Sequence, residues 1–469
     1  MVYFKMRKIL LLLMPLLCSA KNLTLESRIN PPARELMDVE IVGDIMMIPG
    51  NLDGYDFYNI SDPKNPTHLA NIEVPMGNRA LSGFWVAATE EIAYFSSRTK
   101  GNGSAIVNYS NPSNPIMIGS LSFAGSNVNN PSLEGLAVSN GQLAVAAHED
   151  GVFIFNIEDP ENPELSYERP CENAWDVAFI DSNHIVIGNG ESGIILEEIY
   201  CESDSCSGAS FETLGAVKDV EVRDSLLFIA EGSDGVSIYN VSDIDNPVFL
   251  DSYNTEGMTN KIAVFDTNKI AVSDWLGVKI LEWTGESLEL VGYKSTGKRT
   301  MAIAARDSMI YSAEWQHLQT FTFGDIEDAD IDIGSWDIAY PALEIGESDT
   351  FNLVVENNGQ FPLGFSTPFI NHSDFNVLNF PEYLDVEETT LSQIVYTRSN
   401  QNASGVMQIT SNDPDESVIE VQLVGNYDGG IVGVEAPDFS LPIVANGAGS
   451  FTLSNHQGQV VVLAFFAPG

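Results

Sequence analysis

One short pattern recurs along the chain at a nearly constant interval and limits the possible folds more than any other feature. A residue that opens a short apolar strand recurs at steps of 49, 48, 42, 42, 42 and 40 residues. Repeats of this length are typical of stacked or circular arrays, in which one unit cannot bury its apolar face without its neighbours. The positions are Gly54, Gly103, Gly151, Gly193, Gly235, Gly277 and, at the seventh place, His317.

The fifth repeat shows the content of one unit most clearly. Apolar runs that start at Asp219, Leu226, Gly235 and Val248 are separated by turn-forming residues, which predicts four short strands in about 42 residues. Four strands in this length describe one blade of a propeller. In four repeats an Asn-Pro pair precedes the last strand. Proline fixes φ, so the pair is expected to end the third strand of the blade. These pairs are Asn65-Pro66, Asn114-Pro115, Asn162-Pro163 and Asn246-Pro247.

The two ends of the repeat region complement each other. The seventh repeat reaches Gly324 with three apparent strands, whereas the segment 23–27 ahead of the first repeat has a short alternating pattern. A strand at 23–27 completes a ring and removes an exposed sheet edge. We therefore predict an all-β protein that begins with a seven-bladed β-propeller over residues 21–325, closed by the strand 23–27.

Residues 56–66 and 236–250 carry the blade pattern best, with an Ile-Tyr-Asn-Val-Ser-Asp type of strand followed by Asn-Pro. This pattern resembles the LVIVD repeat family of exported bacterial proteins, over about residues 22–325. The resemblance implies a β-propeller and leaves the function open.

The N-terminus has the features of a secretion signal. Three cations precede the apolar run 9–17, and small residues end at Ala20. Leu17 occupies the place where a lipoprotein signal needs a small residue, so we expect residues 1–20 to be removed after Ala20. The protein is then exported to the periplasm, the cell surface or the medium of a bacterium, and no later apolar stretch predicts a transmembrane span.

The charge balance restricts the partners. The chain has 21 Lys and Arg against 66 Asp and Glu, and its net charge is −45. Too few cations are present to assemble a phosphate-neutralising surface, which excludes nucleic acid as a partner. This acidity is typical of a solvated exterior, and it leaves cation binding open.

Three cysteines follow the signal. In an exported protein the close pair Cys201 and Cys206 predicts a disulfide that clips one loop, which leaves Cys171 unpaired. A metal site on the three cysteines is the alternative, although no histidine or fourth cysteine lies close by in sequence.

Three aspartates share one place in the repeat. Asp38, Asp176 and Asp219 each stand one residue before a valine of a first strand. First strands line the central channel of a propeller, so these carboxylates are candidate ligands for a cation such as Ca²⁺. The alternative is that they cap the turn that enters each blade.

Loops between the second and third strands predict a binding rim. Their acids and aromatic residues suit a protein partner or a small ligand. None of them has the spacing of a catalytic triad or a metal motif, so we predict no catalytic, cofactor-binding or metal residue there. The rim candidates are His148, Glu149, Asp150, Trp275, Trp315 and His317.

The period changes after the propeller region. An acidic run over 326–330 predicts a solvated linker. Alternating segments and turns over 331–427 then predict an immunoglobulin-like β-sandwich. The stretches Ile331 to Gly334, Val355 to Gly359 and Ile409 to Asp415 resemble choice-of-anchor D modules, which implies a spacer or adhesion unit.

The last segment, about 432–469, changes character again. Ala436 to Leu441, Phe451 to Ser454 and Gly458 to Pro468 follow one another in an order similar to the start of redoxin domains, the thioredoxin-like and peroxiredoxin-like proteins of the thiol-specific antioxidant group. In that family a reactive Cys at a helix N-terminus follows the Val-rich strand. The sequence stops at Gly469 before such a Cys, so we expect a truncated thioredoxin-like start that belongs to a longer protein. A degenerate domain and an extra strand on the sandwich are the alternatives.

Two functions remain open at this point. In the first, the parent protein is an exported thiol-disulfide oxidoreductase or thiol peroxidase carried on a propeller and immunoglobulin-like scaffold, and no catalysis is expected from this chain because it lacks the reactive cysteine. In the second, it is a non-catalytic secreted or cell-surface binding or adhesion protein that uses the propeller rim. The sequence identifies neither the ligand nor the oligomeric state.

Overall fold

The chain divides into two compact units, Met1–Glu327 and Asp328–Gly469. The computed structural model describes residues 23–456 except 74, 77–78, 81, 99–102, 129–130, 202–205, 297–298, 325–327, 400–402, 415, 428–439 and 443–449. Within these residues the only helical segments are the 3-10 turns Gly190–Ser192 and Leu453–His456. No helix of the described part is long and apolar enough to cross a membrane.

The described part of the first unit contains seven antiparallel sheets, here numbered in chain order, besides the hairpin Pro75–Met76 and Arg79–Ala80. Sheet 1 comprises Arg34–Leu36, Glu40–Val42, Ile45–Leu52, Tyr55–Asn59 and Thr67–Ile72. Sheet 2 comprises Val86–Ala88, Ile92–Ser96, Ser104–Asn108 and Ile116–Gly119. Sheet 3 comprises Leu136–Ser139, Gln142–Ala146, Val152–Asn156 and Glu164–Arg169.

The remaining sheets have four strands each, like sheets 2 and 3. Sheet 4 comprises Asp176–Phe179, His184–Gly188, Ile194–Glu198 and Gly208–Phe211. Sheet 5 comprises Asp219–Arg223, Leu226–Ala230, Val236–Asn240 and Val248–Tyr253. Sheet 6 comprises Thr259–Phe265, Lys269–Asp274, Gly277–Trp283 and Leu288–Ser295. Sheet 7 comprises Thr300–Arg306, Met309–Glu314, Leu318–Phe323 and, as its outer strand, Leu23–Ile29.

The outer strand of sheet 7 comes from the start of the described chain. Leu23–Ile29 pairs antiparallel with Leu318–Phe323, with Leu23 opposite Phe323 and Ile29 opposite Leu318. This strand includes the segment 23–27 that we expected to complete the seventh repeat. It joins residues that are almost 300 positions apart in the sequence, and Leu23 is fully buried.

Successive side chains of a strand point to opposite faces of its sheet. Each sheet packs against one neighbouring sheet on each face, so both faces are buried. In the second strand of sheet 3, Leu143 and Val145 pack against sheet 2, whereas Ala144 and Ala146 pack against sheet 4. The same alternation joins every neighbouring pair of sheets. One further core joins sheets 7 and 1, where Tyr311 packs in the same cluster as residues of the first repeat.

The repeated glycine opens the third strand where the outer strand passes very close. At Gly235 φ is +90°, and a Cβ there would overlap the carbonyl oxygen of Tyr253. Gly151 has the same relation to the Arg169 carbonyl with φ at +94°. Glycine is therefore needed both for the backbone conformation and for space.

The second unit has two four-stranded sheets around one core. The first sheet comprises Ile331–Ile333, Ser348–Asn357, Thr389–Thr397 and Phe375–Leu378. The second comprises Asp337–Pro341, Val418–Tyr427, Ser404–Thr410 and Phe369–Ile370. Leu353 and Ile394 of the first sheet share a buried cluster with Met407 and Val421 of the second. The short pairs Leu363–Gly364 with Tyr383–Leu384 and Ser440–Pro442 with Ser450–Thr452 complete the described strands.

The predicted linker 326–330 needs a correction at its C-terminal end. The second unit begins at Asp328, and Ala329 is part of its core. The Asp328 and Asp330 carbonyl oxygens accept the amides of Gln360 and Asn358 at 2.9 and 2.8 Å. The acidic composition suggested a solvated segment, but the backbone of 328–330 is used to anchor the sheet.

Candidate functional sites at the first strands

Two consecutive residues of each repeat stand where the chain enters the first strand of a sheet. Across the repeats, these two positions hold most of the ionisable side chains at the start of the first strands. In the first, here called the leading position, the residue donates its backbone amide to the second strand of its own sheet. The bonds are Met37 N to Pro49 O (3.0 Å), Phe84 N to Ser96 O (3.0 Å), Glu134 N to Ala146 O (2.9 Å), Trp175 N to Gly188 O (2.7 Å) and Lys218 N to Ala230 O (2.8 Å). The next residue along the chain is here called the following position.

The three predicted aspartates occupy the following position in sheets 1, 4 and 5. Each is buried, and its carboxylate accepts the backbone amide of a first strand in the next sheet. The bonds are Val86 N to Asp38 Oδ2 (3.0 Å), Val220 N to Asp176 Oδ2 (2.9 Å) and Ile262 N to Asp219 Oδ2 (2.8 Å). These aspartates therefore bridge neighbouring sheets through backbone amides, a role that the sequence analysis did not predict.

Lys261 supplies the positive charge for this cluster. It occupies the following position in sheet 6, and its Nζ lies 3.1 Å from Asp219 Oδ1 and 3.4 Å from Asp38 Oδ1. Burial acts to lower the pKa of Lys261, but the carboxylates of Asp219 and Asp38 raise it overall. The ammonium group of Lys261 thus pairs with two of the three candidate carboxylates. Within the described residues, no group of His, Cys, Asp and Glu has the arrangement of a metal site.

Carboxyl groups around this cluster are easier to protonate than usual. Burial raises the pKa of Asp176, and Asp219 adds to the effect. Burial, with a contribution from Asp38, raises the pKa of Glu40 to about 8. Burial also raises the pKa of Glu221 to about 7. The first strands therefore contain groups that change charge near neutral pH.

The leading positions of sheets 2 to 5 form a second cluster. Phe84, Glu134, Trp175 and Lys218 come from four consecutive sheets, and the loops of sheets 2 and 3 add Arg98 and His148 to them. Because the same structural position recurs in adjacent sheets, residues about 45 positions apart in the sequence become neighbours. Sequence inspection found only His148 of this set, although alignment of the repeats on the first strand would have placed the other residues together.

Glu134 is the buried centre of this cluster. Its Oε1 lies 2.6 Å from His148 Nε2 and also contacts Arg98 Nε. The hydrogen bond with Glu134 is the largest influence that raises the pKa of His148. The other ring nitrogen, Nδ1, lies 3.1 Å from Asn173 Oδ1, so both nitrogens of His148 are held.

Aromatic rings surround the cations of the cluster. The Arg98 guanidinium lies over Phe84, 4.2 Å from the ring centroid, and 5.2 Å from the Trp175 centroid. Lys218 Nζ is 4.2 Å from the Trp175 centroid. Cations over aromatic faces are attracted by the ring quadrupole, most strongly for tryptophan. In a chain with few cations, this combination of charge and aromatic surface is the feature most suited to ligand binding.

Comparison with known proteins supports only the fold. No model of a known protein family matches the chain, and no curated protein matches it. Among solved structures, the WD40 repeats of RRP9 align with a TM-score of 0.50 at 10% identity, over 65% of this chain and 98% of that one. The computationally designed Ika8 protein gives a TM-score of 0.45 at 10% identity, over 62% of this chain and 97% of its own. The sheets and the RRP9 alignment show that the chain contains a β-propeller-like fold.

The other predicted rim residues do not join one site of this propeller-like unit. Trp275 is exposed and stacks against Arg299, whose guanidinium carbon lies 4.0 Å from the ring centroid. His317 Nδ1 lies 2.5 Å from Asn30 Oδ1. Glu149 is exposed, and Trp315 and Asp150 are partly buried. Of the six predicted rim residues, only His148 belongs to the cluster at the leading positions.

The three described cysteines lie at two places. Cys201 and Cys206 form a disulfide with their Cα atoms 5.7 Å apart, beside a cavity of about 480 Å³ that also contacts Arg169 and Glu197. Cys171 is a free thiol packed against the core between sheets 3 and 4. Burial raises the pKa of Cys171 to about 11, so it is a poor nucleophile at neutral pH.

Proposed function

We propose that this protein is a non-catalytic binding protein whose first unit is a closed, seven-bladed β-propeller of the LVIVD type. Its ligand site is the cluster at the leading positions of sheets 2 to 5. The observation that carries the proposal is the presence of Arg98, His148 and Lys218 around the Trp175 ring. Buried or half-buried aromatic and arginine side chains are the usual anchors of binding surfaces.

The contacts of His148 favour binding over catalysis. Its two ring nitrogens are engaged by Glu134 and Asn173. Neither partner is a hydroxyl or thiol nucleophile. The pair of His148 and Glu134 therefore has no nucleophile in contact with it that a general base would activate. Glu134 instead holds Arg98 and His148 in place, which is a positioning role.

The remaining parts of the proposal come from the sequence. We infer an exported protein with residues 1–20 as its signal, an immunoglobulin-like spacer at 331–427, and the start of a redoxin-like domain at 432–469. Most of 432–469 and all of 1–20 lie outside the described residues. N-terminal sequencing of the exported protein should begin at Lys21. The purified chain should turn over neither a peroxide nor a disulfide substrate, and measurable turnover would contradict this assignment.

A ligand screen tests the binding function. Thermal unfolding of residues 21–469 is followed with neutral sugars, short peptides and small organic anions at millimolar concentration. We expect at least one class to raise the unfolding temperature, because a ligand that binds only the native state stabilises it. The shift should be lost in Trp175→Ala and retained in Trp275→Ala, a tryptophan outside the cluster. A screen with no shift, or the same shift in both variants, would rule out this site.

A further inference from the structure

We propose that Lys218 and Arg98, over the Trp175 ring, bind the oxyanion group of a small organic ligand, a carboxylate or a phosphate. This inference rests on the proposed binding function and specifies the ligand chemistry of the same cluster. Two observations support it. Lys218 and Arg98 lie at the same aromatic ring, and among the described residues their ammonium and terminal NH₂ groups have no hydrogen-bond acceptor.

Lys218 is a half-buried cation without a counter-ion in the described part of the chain. No carboxylate there lies within ion-pair distance of its ammonium group, although the protein has 66 acidic residues against 21 Lys and Arg. Glu134 and Glu191 act on it only from longer range. Burial and the nearby Arg98 lower the pKa of Lys218. A half-buried, uncompensated charge next to a second cation is unfavourable, and an anion placed there would relieve it.

Arg98 has donors to spare. Its Nε is engaged by Glu134, and its guanidinium lies over the rings of Phe84 and Trp175. Its two terminal NH₂ groups donate to no acceptor among the described residues. A guanidinium held in this way presents a fork that matches a carboxylate or phosphate. Glu134 offsets one positive charge of the site and is shared with His148, so the charge of Lys218 remains for the ligand.

The aromatic rings set the rest of the ligand. The guanidinium carbon of Arg98 lies 4.2 Å from the Phe84 ring centroid, 5.2 Å from that of Trp175 and 6.0 Å from that of Trp85. Trp175 is partly exposed, whereas Trp85 is buried. A flat or apolar group attached to the oxyanion can therefore pack on the exposed part of Trp175. The combination selects a small organic acid over a bare inorganic ion.

Calorimetric titration of residues 21–469 with three probes tests this inference. The probes are benzoate, its neutral counterpart benzamide, and inorganic phosphate. We expect benzoate to bind at least ten times more tightly than benzamide, with phosphate weaker than benzoate. Raising the salt concentration should weaken benzoate binding, since the attraction is between charges that are partly solvated.

Variants separate the charge from the fold. Lys218→Met should weaken benzoate binding at least tenfold, whereas Lys218→Arg, which keeps the charge, should restore most of it. Lys269→Met is the matched control, because Lys269 pairs with Asp266 on the surface of sheet 6, and it should bind like the unmodified protein. Equal binding of benzoate and benzamide, or unchanged binding in Lys218→Met, would overturn the inference. A neutral ligand whose effect depends on Trp175 but not on Lys218 would overturn it while leaving the proposed binding function intact.

Discussion

At the residue scale, one repeat position carries opposite charges in different sheets. The following position is aspartate in sheets 1, 4 and 5, and it is Lys261 in sheet 6. Since the repeats bring this position together, Lys261 supplies a cation to Asp38 and Asp219. Lys261 thus offsets part of the negative charge of this cluster.

Replacement of Lys261 should expose this dependence. Lys261→Met leaves Asp38 and Asp219 buried without their cation, and breaking a buried pair by removing one partner is expected to lower the free energy of unfolding by about 3 kcal/mol at pH 7. Urea unfolding followed by tryptophan fluorescence measures the change. Lys269→Met should cost less than about 1 kcal/mol, as expected for a surface pair. Equal stability of Lys261→Met and the unmodified protein would show that the cluster needs no internal cation.

The repeated glycine allows a second test at a single residue. Gly235→Ala adds a Cβ that overlaps the Tyr253 carbonyl and also strains a φ of +90°, so we expect a loss of at least about 3 kcal/mol in the free energy of unfolding. Gly285→Ala has nearly the same φ, +93°, but no atom within 4 Å of the new Cβ. It should cost only about 1 kcal/mol. Similar losses in the two variants would mean that space at the outer strand is unimportant.

At the element scale, the strand Leu23–Ile29 makes a sharp prediction. A chain that starts at Asn30 loses the outer strand of sheet 7 and the buried Leu23, and we expect its free energy of unfolding to fall by at least about 3 kcal/mol. A chain that starts at Leu23 lacks only the residues ahead of the strand, and it is the control. Differential scanning calorimetry compares them. Identical unfolding temperatures would show that this strand does not stabilise the sheet.

Strand positions were predictable because they depend on local pattern. In sheet 5, for example, the expected start at Leu226 and the expected segment after Gly235 agree with the strands Leu226–Ala230 and Val236–Asn240. The acidic composition predicted a solvated linker at Asp328 to Asp330, but the backbone of these residues is hydrogen-bonded to a sheet of the second unit. Side-chain composition gives no information about such backbone hydrogen bonds. The division of the first strand in sheet 1 into Arg34–Leu36 and Glu40–Val42 was also not foreseen.

The candidate sites were less predictable because they depend on which residues of different repeats become neighbours. The shared place of Asp38, Asp176 and Asp219 was visible in the sequence, but Lys261 was missed because it breaks the acidic pattern. Likewise Trp175 and Lys218 stand at one repeat position with unlike side chains, so neither suggests the other. Contacts of this kind follow from the register of the sheets, which periodicity alone does not specify.

At the scale of the whole molecule, carboxyl groups with a raised pKa make the stability depend on pH. The folded state raises the pKa of Glu40 to about 8 and that of Glu221 to about 7, both from 4.5. Between pH 4.5 and about pH 8, the folded state therefore binds more protons than the unfolded chain. Stability contributed by such groups is lost as the pH rises through this interval. Burial raises the pKa of Asp38 and Asp176 as well, which acts in the same direction.

We therefore expect the free energy of unfolding to fall as the pH is raised from 5 to 8. Each unit of pKa corresponds to about 1.4 kcal/mol. The Glu40 and Glu221 side chains are only partly buried, so solvent screening makes the loss smaller than the sum of the two shifts, and we expect it to be at least about 2 kcal/mol. Glu40→Gln removes one of the titrating groups and should flatten the pH dependence by raising stability at pH 8 more than at pH 5. Glu286→Gln, in an exposed turn, should leave the slope unchanged. Urea unfolding at intervals of half a pH unit measures the slope, and stability that rises from pH 5 to 8 would contradict the raised pKa of these carboxyl groups.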